Sequence, residues 1–454
     1  MAGAWGARGL VVLVGATAFL FAGSYLSSLV FPGCLCLVLL AMSAPWAESR
    51  QRRGLDLALL MSTGIVALQL LPVPAAAIDA LSPADRHIRQ AMSLAPVTGA
   101  LPISIDRSAT AWALAVFAGA VLVFFVARRI FDGGGVRTVV RGLAGIGLIL
   151  SAICLAQDAT GHGLMYWRWK PPFEVAYPFG PFINRNHYAT WVVMTVPVVL
   201  GYLQAHGWVH RRDHVPATWR ARLGLFDGRS LWLTAAVFLM LVGLVASLSR
   251  SGMIAMASAL IVAMHGRARH GGARLSGWAV GGLLLAIVAA LVRNDALELY
   301  HRFAASAVAA SDRLSIWRAT LPVIKDFWVT GAGAGTFEIV MLVYERTPSL
   351  FRINAAHNHY LQVAAEGGLL LVAPVAASLG LFARDASRSL RADGSPSGLM
   401  RIGACSGLVG AAVQSVWETG LTTPANALLA AVLAAIVVHR STGSGQDRGD
   451  GATG

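Results

Sequence analysis

The chain has 454 residues, of which 56% are hydrophobic and only 13% charged, and its mean hydropathy is +0.64. Soluble domains are about one-quarter charged, so this chain lacks the polar groups to cover a water-facing surface, and an ordinary soluble domain is excluded. The formal charge of +14 would suit a nucleic-acid binder. No basic stripe is interleaved with aromatics as such a platform requires, and placement of Lys and Arg to orient a membrane protein accounts for the charge instead.

A spanning helix needs about 20 mostly apolar residues. In chain order the candidates run over 9–25, 28–46, 55–74, 109–128, 138–157, 187–205, 231–248, 252–265, 276–292, 358–383, 400–417 and 424–439. This predicts an all-α polytopic membrane protein with about 12 transmembrane helices in one domain, 1–440, and a disordered tail over 441–454. Arg8 followed by an apolar run resembles a signal peptide, but a second apolar run follows at once. It reads as the first membrane helix. Cys34, Cys36, Cys154 and Cys405 lie inside apolar runs and read as small buried hydrophobes.

With the N-terminus cytoplasmic, every even-to-odd helix connection is basic. These connections hold Arg50, Arg52 and Arg53; Arg128, Arg129, Arg137 and Arg141; Arg211, Arg212, Arg220, Arg222 and Arg229; Arg267, Arg269 and Arg274; and Arg384, Arg388, Arg391 and Arg401. The alternation places both termini in the cytoplasm. The longer external (periplasmic) loops are 75–108, 158–186 and 293–356, the last predicted to carry short helices. Long loops between spans are where function concentrates.

Four stretches on that side carry chemistry. "PFGPFINRNH" (178–187) puts Arg185 at a helix start, with Asn184 and Asn186 able to cap it. "SLSRSG" (247–252) puts Arg250 between two apolar helices, either as an interfacial arginine or as an anion ligand flanked by Ser249, Ser251 and Gly252. In "DRLSIWRATLPVIKDFWVTGAGAGTF" (312–337), Arg313 and Trp317 are four apart, as are Leu314 and Arg318, which predicts a short amphipathic helix. The Gly331–Gly335 run lacks the Lys-Ser/Thr of a phosphate loop and reads as a turn. In "AAHNHYLQVAAEGG" (355–368), His357 stands where the loop meets a span, with Asn358, His359, Tyr360 and Gln362 close by. His357, Leu361, Ala364 and Gly368 would share one helical face. Two histidines two apart point different ways on a helix, so a metal site is not expected. Glu366 would pair inside the bundle.

At these residues the chain resembles the O-antigen ligase/O-antigen polymerase superfamily of membrane glycosyltransferases. The pieces are "PFGPFINRNHYA", "SLSRSG", "DRLSIWRA…GAGAGTF", "HNHYLQVAAEGG" and "PANALL" (424–429). The ligase pattern of His, then Asn/Ser/Gln, nine residues and Gly is met by His357, Asn358 and Gly368. Leu371 stands where the pattern has Gly, Thr or Tyr. The resemblance implies transfer of a glycan from undecaprenyl pyrophosphate to a glycan or lipid A-core acceptor hydroxyl, at the periplasmic face of the bacterial inner membrane. It implies catalytic roles for His357 and Arg250. It also implies a pyrophosphate site of Arg250, Arg313 and Arg185, with Asn186, Asn358, Tyr360 and Arg318 in support. No metal and no cofactor are expected, since arginine forks bind such oxyanions directly, and no Asp-x-Asp or similar carboxylate pair is visible in the external segments. Attack by the acceptor at the anomeric carbon predicts inversion. Repeat-unit polymerisation for O-antigen or exopolysaccharide and protein O-glycosylation share the same core. A transporter or flippase is the reading from another class, supported by the basic connection at 206–230 but by no similarity between halves.

Overall fold

The computed structural model describes residues 2–43, 53–92, 99–161, 163–170, 177–213, 227–268, 306–345 and 352–439. It is helical over 79% of these residues, in 15 helices. In chain order they are α1 Ala2–Phe19, α2 Leu26–Ser43, α3 Arg53–Leu68, α4 Ala75–Leu81, α5 Pro83–Met92, α6 Arg107–Asp132, α7 Val136–Thr160, α8 Arg185–Asp213, α9 Gly228–Ala246, α10 Arg250–Ala268, α11 Ser306–Asp326, α12 Phe337–Tyr344, α13 His359–Ala392, α14 Pro396–Gln414 and α15 Pro424–Val438. The two strands, Pro72–Val73 and Leu101–Pro102, form one short antiparallel ladder. Eleven of the twelve predicted spans coincide with helices. The twelfth, 276–292, lies outside the described residues, as does the tail after His439.

Among the described residues, six helices are long and apolar enough to cross a membrane by length and composition: α6, α7, the first 22 residues of α8, α9, α10 and α13. α1, α2 and α15 are shorter apolar helices. Large apolar side chains point outward along several of them, among them Leu26, Leu37, Leu231, Ile261 and Leu379. In water such faces would be unstable; in lipid they are the natural exterior. The cysteines follow the same logic less uniformly than their runs suggest. Cys36 and Cys154 are buried, but Cys34 is exposed on the outer face of α2 and Cys405 is half-buried.

The helix ends are set locally. Asp106 caps α6, accepting from the Ser108 and Ala109 amides. The Ser108 hydroxyl and these amides hold its carboxyl below the ordinary value against the opposing effect of burial. The α6–α7 turn runs through Gly134 and Gly135, both at positive φ. Pro at the first turn opens both α14 and α15. The central packing is α8 against α14, and small residues allow it. Gly403 and Gly407, spaced as in a close-approach dimer motif, lie against the backbone of Pro197 and Met194; a Cβ at either would sit 2.2 and 2.5 Å from those carbonyl oxygens.

Antiparallel packing puts the helix starts of α8, α10, α13 and α15 at one end with the close of α14. The other end gathers the predicted cytoplasmic charges. There Arg128 holds Asp56 through two hydrogen bonds of 2.7 and 2.9 Å and lies over the rings of Phe124 and Phe125. Arg401 is buried, reaches Asp393 at 2.8 Å and donates to the carbonyls of Val437 and His439 that close α15. Arg128→Ala is expected to lower stability by about 2 kcal/mol, the scale of hydrogen bonds to charged groups. A double-mutant cycle with Asp56→Ala, read by thermal unfolding in detergent, checks this. Simple additivity of the two changes would show that the pair contributes nothing.

Candidate active site

The site is built on a buried carboxylate that stands outside all four sequence stretches. Glu418 lies in the turn between α14 and α15 and is 1% exposed. A charge at this depth requires partners, and three elements supply them. From the start of α8, Asn186 Nδ2 donates to Glu418 Oε1 at 2.6 Å. From α11, Arg313 donates to the same oxygen at 2.8 Å. From the segment before α13, His357 Nδ1 faces Oε2 at 3.6 Å. That is longer than a hydrogen bond, and among the described residues neither Nδ1 nor Oε2 has another partner.

Each side chain is positioned by its local backbone. Asn184 Oδ1 accepts from the Asn186 amide, so Asn184 does the capping and the Asn186 side chain is left for Glu418. The Asn186 carbonyl accepts from Gln414 Nε2 at 3.1 Å, tying α8 to the end of α14. Just beyond, His187 Nδ1 is 2.7 Å from Thr423 Oγ1, and Asn426 Nδ2 donates to the His187 carbonyl.

His357 has a φ of +47°. This left-handed conformation costs a non-glycine residue on the order of 1 kcal/mol and persists only where neighbours impose it. Here they do. Gln362 Oε1 accepts from the Ala356 amide at 3.2 Å, and Trp317 Nε1 donates to the Ala356 carbonyl at 3.0 Å. Beyond the histidine, the His359 amide donates to the Ser415 carbonyl at 2.8 Å, and Asn358 caps α13 through the Leu361 amide.

α13 is broken at Gly368 (φ 55°, ψ −166°). The stripe of His357, Leu361, Ala364 and Gly368 is therefore not a continuous helical face, because the helix starts two residues after His357 and kinks at its eventual lower end. The backbone groups freed by the break are taken up by the chain around 328–335. Leu369 and Leu370 amides donate to the Trp328 and Val329 carbonyls, and Ala332 and Gly333 amides donate to Ala365 and Glu366. Broken helices survive in apolar surroundings only with such cover. The Gly331–Gly335 turn thus has a packing role. Glu366 belongs to this turn, accepting from the Gly335 amide at 2.8 Å and from Gln362 Nε2 at 3.1 Å.

The predicted residues divide. Arg313, Asn186 and His357 come together. Arg250 opens α10 at the same end of the bundle, and a Cβ at Gly252 beside it would touch Ala189 in the first turns of α8. Arg185 opens α8 and lies over the Tyr177 ring at 4.9 Å. Asn358 is used as a cap. The Tyr360 hydroxyl donates to the Ala412 carbonyl. Arg318 is exposed on α11, away from the face that carries Arg313 and Trp317. Among the described residues no group of three or more His, Cys, Asp or Glu is placed to hold a metal ion.

Sequence reasoning searched the long loops and missed Glu418, which sits in the shorter connection between α14 and α15. The available signal was a single acid between two apolar runs, in "VWETGLTTPANALL".

A family model described as O-antigen ligase matches residues 235–376. The similarity to the O-antigen ligase family is carried by residues 235–376. This stretch contains Arg250, Arg313 and His357, and the match supports a membrane protein of glycosyltransferase type, O-antigen ligase- or polymerase-like. Arg185 and Asn186 precede the matched stretch, and Glu418 follows it. A search of curated proteins found no match.

Proposed function

We propose that the protein is a glycosyltransferase that moves a glycan from undecaprenyl pyrophosphate to an acceptor hydroxyl at the periplasmic face of the bacterial inner membrane, as an O-antigen ligase does. The observation that carries the reading is the meeting of a cation, Arg313, and an imidazole, His357, around one buried carboxylate beside the start of α8. Arg313 keeps 32% of its side chain exposed and His357 30%, so both can be reached by substrate.

In this reaction the acceptor oxygen bonds to the anomeric carbon as the bond from that carbon to the phosphate oxygen breaks. The electron pair leaves with the lipid pyrophosphate, and the acceptor proton passes to His357 Nε2. The configuration inverts. Charge accumulates on the departing phosphate, where Arg313, Arg250 and Arg185, with the N-termini of α8 and α10, would stabilise it. Fixed guanidinium charges replace a divalent metal in this role. The arginines at the opposite helix ends favour a cytoplasmic location for that end, and hence a periplasmic site within a twelve-span layout with both termini inside.

The test is transfer by purified protein from an undecaprenyl-pyrophosphate glycan in excess chelator, with lipid A-core, a second repeat unit or a peptide as acceptor. Transfer to lipid A-core with an inverted linkage is expected. Product only with a repeat unit or a peptide would reassign the acceptor, and dependence on added metal would remove the arginine-only account. Arg250→Ala is expected to lower kcat by about 10²–10³, the cost of removing one oxyanion donor. An unchanged rate would take Arg250 out of the mechanism.

A further inference from the structure

We propose that Glu418 is a positioning residue that sets the tautomer of His357, holding the proton on Nδ1 so that Nε2 is free to take the acceptor proton. The inference rests on the reading of His357 as the base. Two donors, Asn186 Nδ2 and Arg313, converge on Oε1 of Glu418 at 2.6 and 2.8 Å. Their choice leaves Oε2 for the imidazole alone, 3.6 Å away. An ionised carboxylate only accepts hydrogen bonds. The imidazole nitrogen that faces it gains only by carrying a hydrogen, and a neutral ring carries one hydrogen. Its other nitrogen is then a lone pair.

The fold keeps this pair in register. The Ala356 amide and carbonyl and the His359 amide are all bonded to other elements, so the His357 backbone is held on both sides. A small ring rotation closes the remaining gap, as happens in catalytic hydrogen bonds that tighten when substrate binds. Glu418 touches no reacting atom in this scheme; it acts through His357.

The same geometry makes Glu418→Gln informative. Arg313 can only donate, and Asn186 presents its amide nitrogen, so both require the amide oxygen of the variant. The amide NH₂ is thereby turned toward His357 Nδ1, which must become the acceptor. The ring hydrogen moves to Nε2, where it blocks the base.

The measurement is ¹⁵N NMR of histidine-labelled protein at a pH well above the histidine titration range, with His357 assigned by its loss in His357→Asn. The wild type should show the Nδ1–H tautomer and Glu418→Gln the Nε2–H tautomer. The kcat of Glu418→Gln should fall by up to about 10⁴, the loss seen when the carboxylate of a serine-protease triad becomes an amide, with KM for the donor unchanged. Glu418→Asp keeps the carboxylate and should restore the Nδ1–H tautomer and part of kcat. An Nε2–H tautomer in the wild type overturns the proposal without requiring any Glu418 variant to fold. The same tautomer in wild type and Glu418→Gln, or an unchanged kcat, overturns it as well. Because the tautomer is read without turnover, a failure of the transferase reading itself, such as full activity in His357→Asn, remains distinguishable.

Discussion

His357→Asn is expected to reduce the rate of glycan transfer by about 10²–10⁴, the range general base catalysis contributes, while membrane insertion and donor KM stay as in the wild type. Asparagine is the right replacement because the position has a φ of +47°, which asparagine tolerates and alanine does not. The imidazole is removed and the backbone keeps its shape. His357 Nδ1 makes no hydrogen bond among the described residues, so its loss should not loosen the bundle. Single-turnover transfer with purified protein and lipid-linked donor reads the chemical step directly. A wild-type rate would leave His357 with no part in proton transfer, and the site would have to work through its arginines alone.

The second large effect is on folding. Gly331→Ala is expected to destabilise the protein by about 3 kcal/mol or more, at the upper end for overpacked positions. A Cβ at Gly331 would lie 2.1 Å from the Glu366 carbonyl oxygen and 2.3 Å from the Gly367 nitrogen, and the residue has a φ of +67°. Both contacts are backbone, at the point where the break in α13 is covered, so neither can step aside. Gly99→Ala is the control: φ is also positive there, at +88°, but among the described residues nothing lies within 4 Å of the added carbon. Only left-handed strain remains at that position, about 1–2 kcal/mol. Thermal unfolding in detergent should separate the two variants clearly. Equal losses would mean that the 331–335 turn does not hold the α13 break closed.

Most of the helix plan was legible in the chain. Apolar runs of about 20 residues are local signals. They report where helices lie because a helix satisfies its own backbone in an apolar medium. The runs gave no warning of interruptions. The break at Gly368 depends on a turn more than 30 residues earlier, a separation visible in the pairing of Ala332 with Ala365, and it undid the predicted stripe beneath His357. Tyr360 and Asn358 were read as supporting residues of the site, and only the fold supplied their partners, the Ala412 carbonyl and the Leu361 amide.

The sequence by itself determined the solvent, the helical class and the resemblance to O-antigen ligases. Hydrophobicity, charge placement and short motifs are written in consecutive residues. Which charged groups meet was decided only in three dimensions. Arg313 and Asn186 are far apart along the chain and are joined by Glu418, a lone acid in a short turn. Burial of that carboxylate makes partners obligatory, and the packing of α8, α11 and α14 around the start of α13 selects which partners those are.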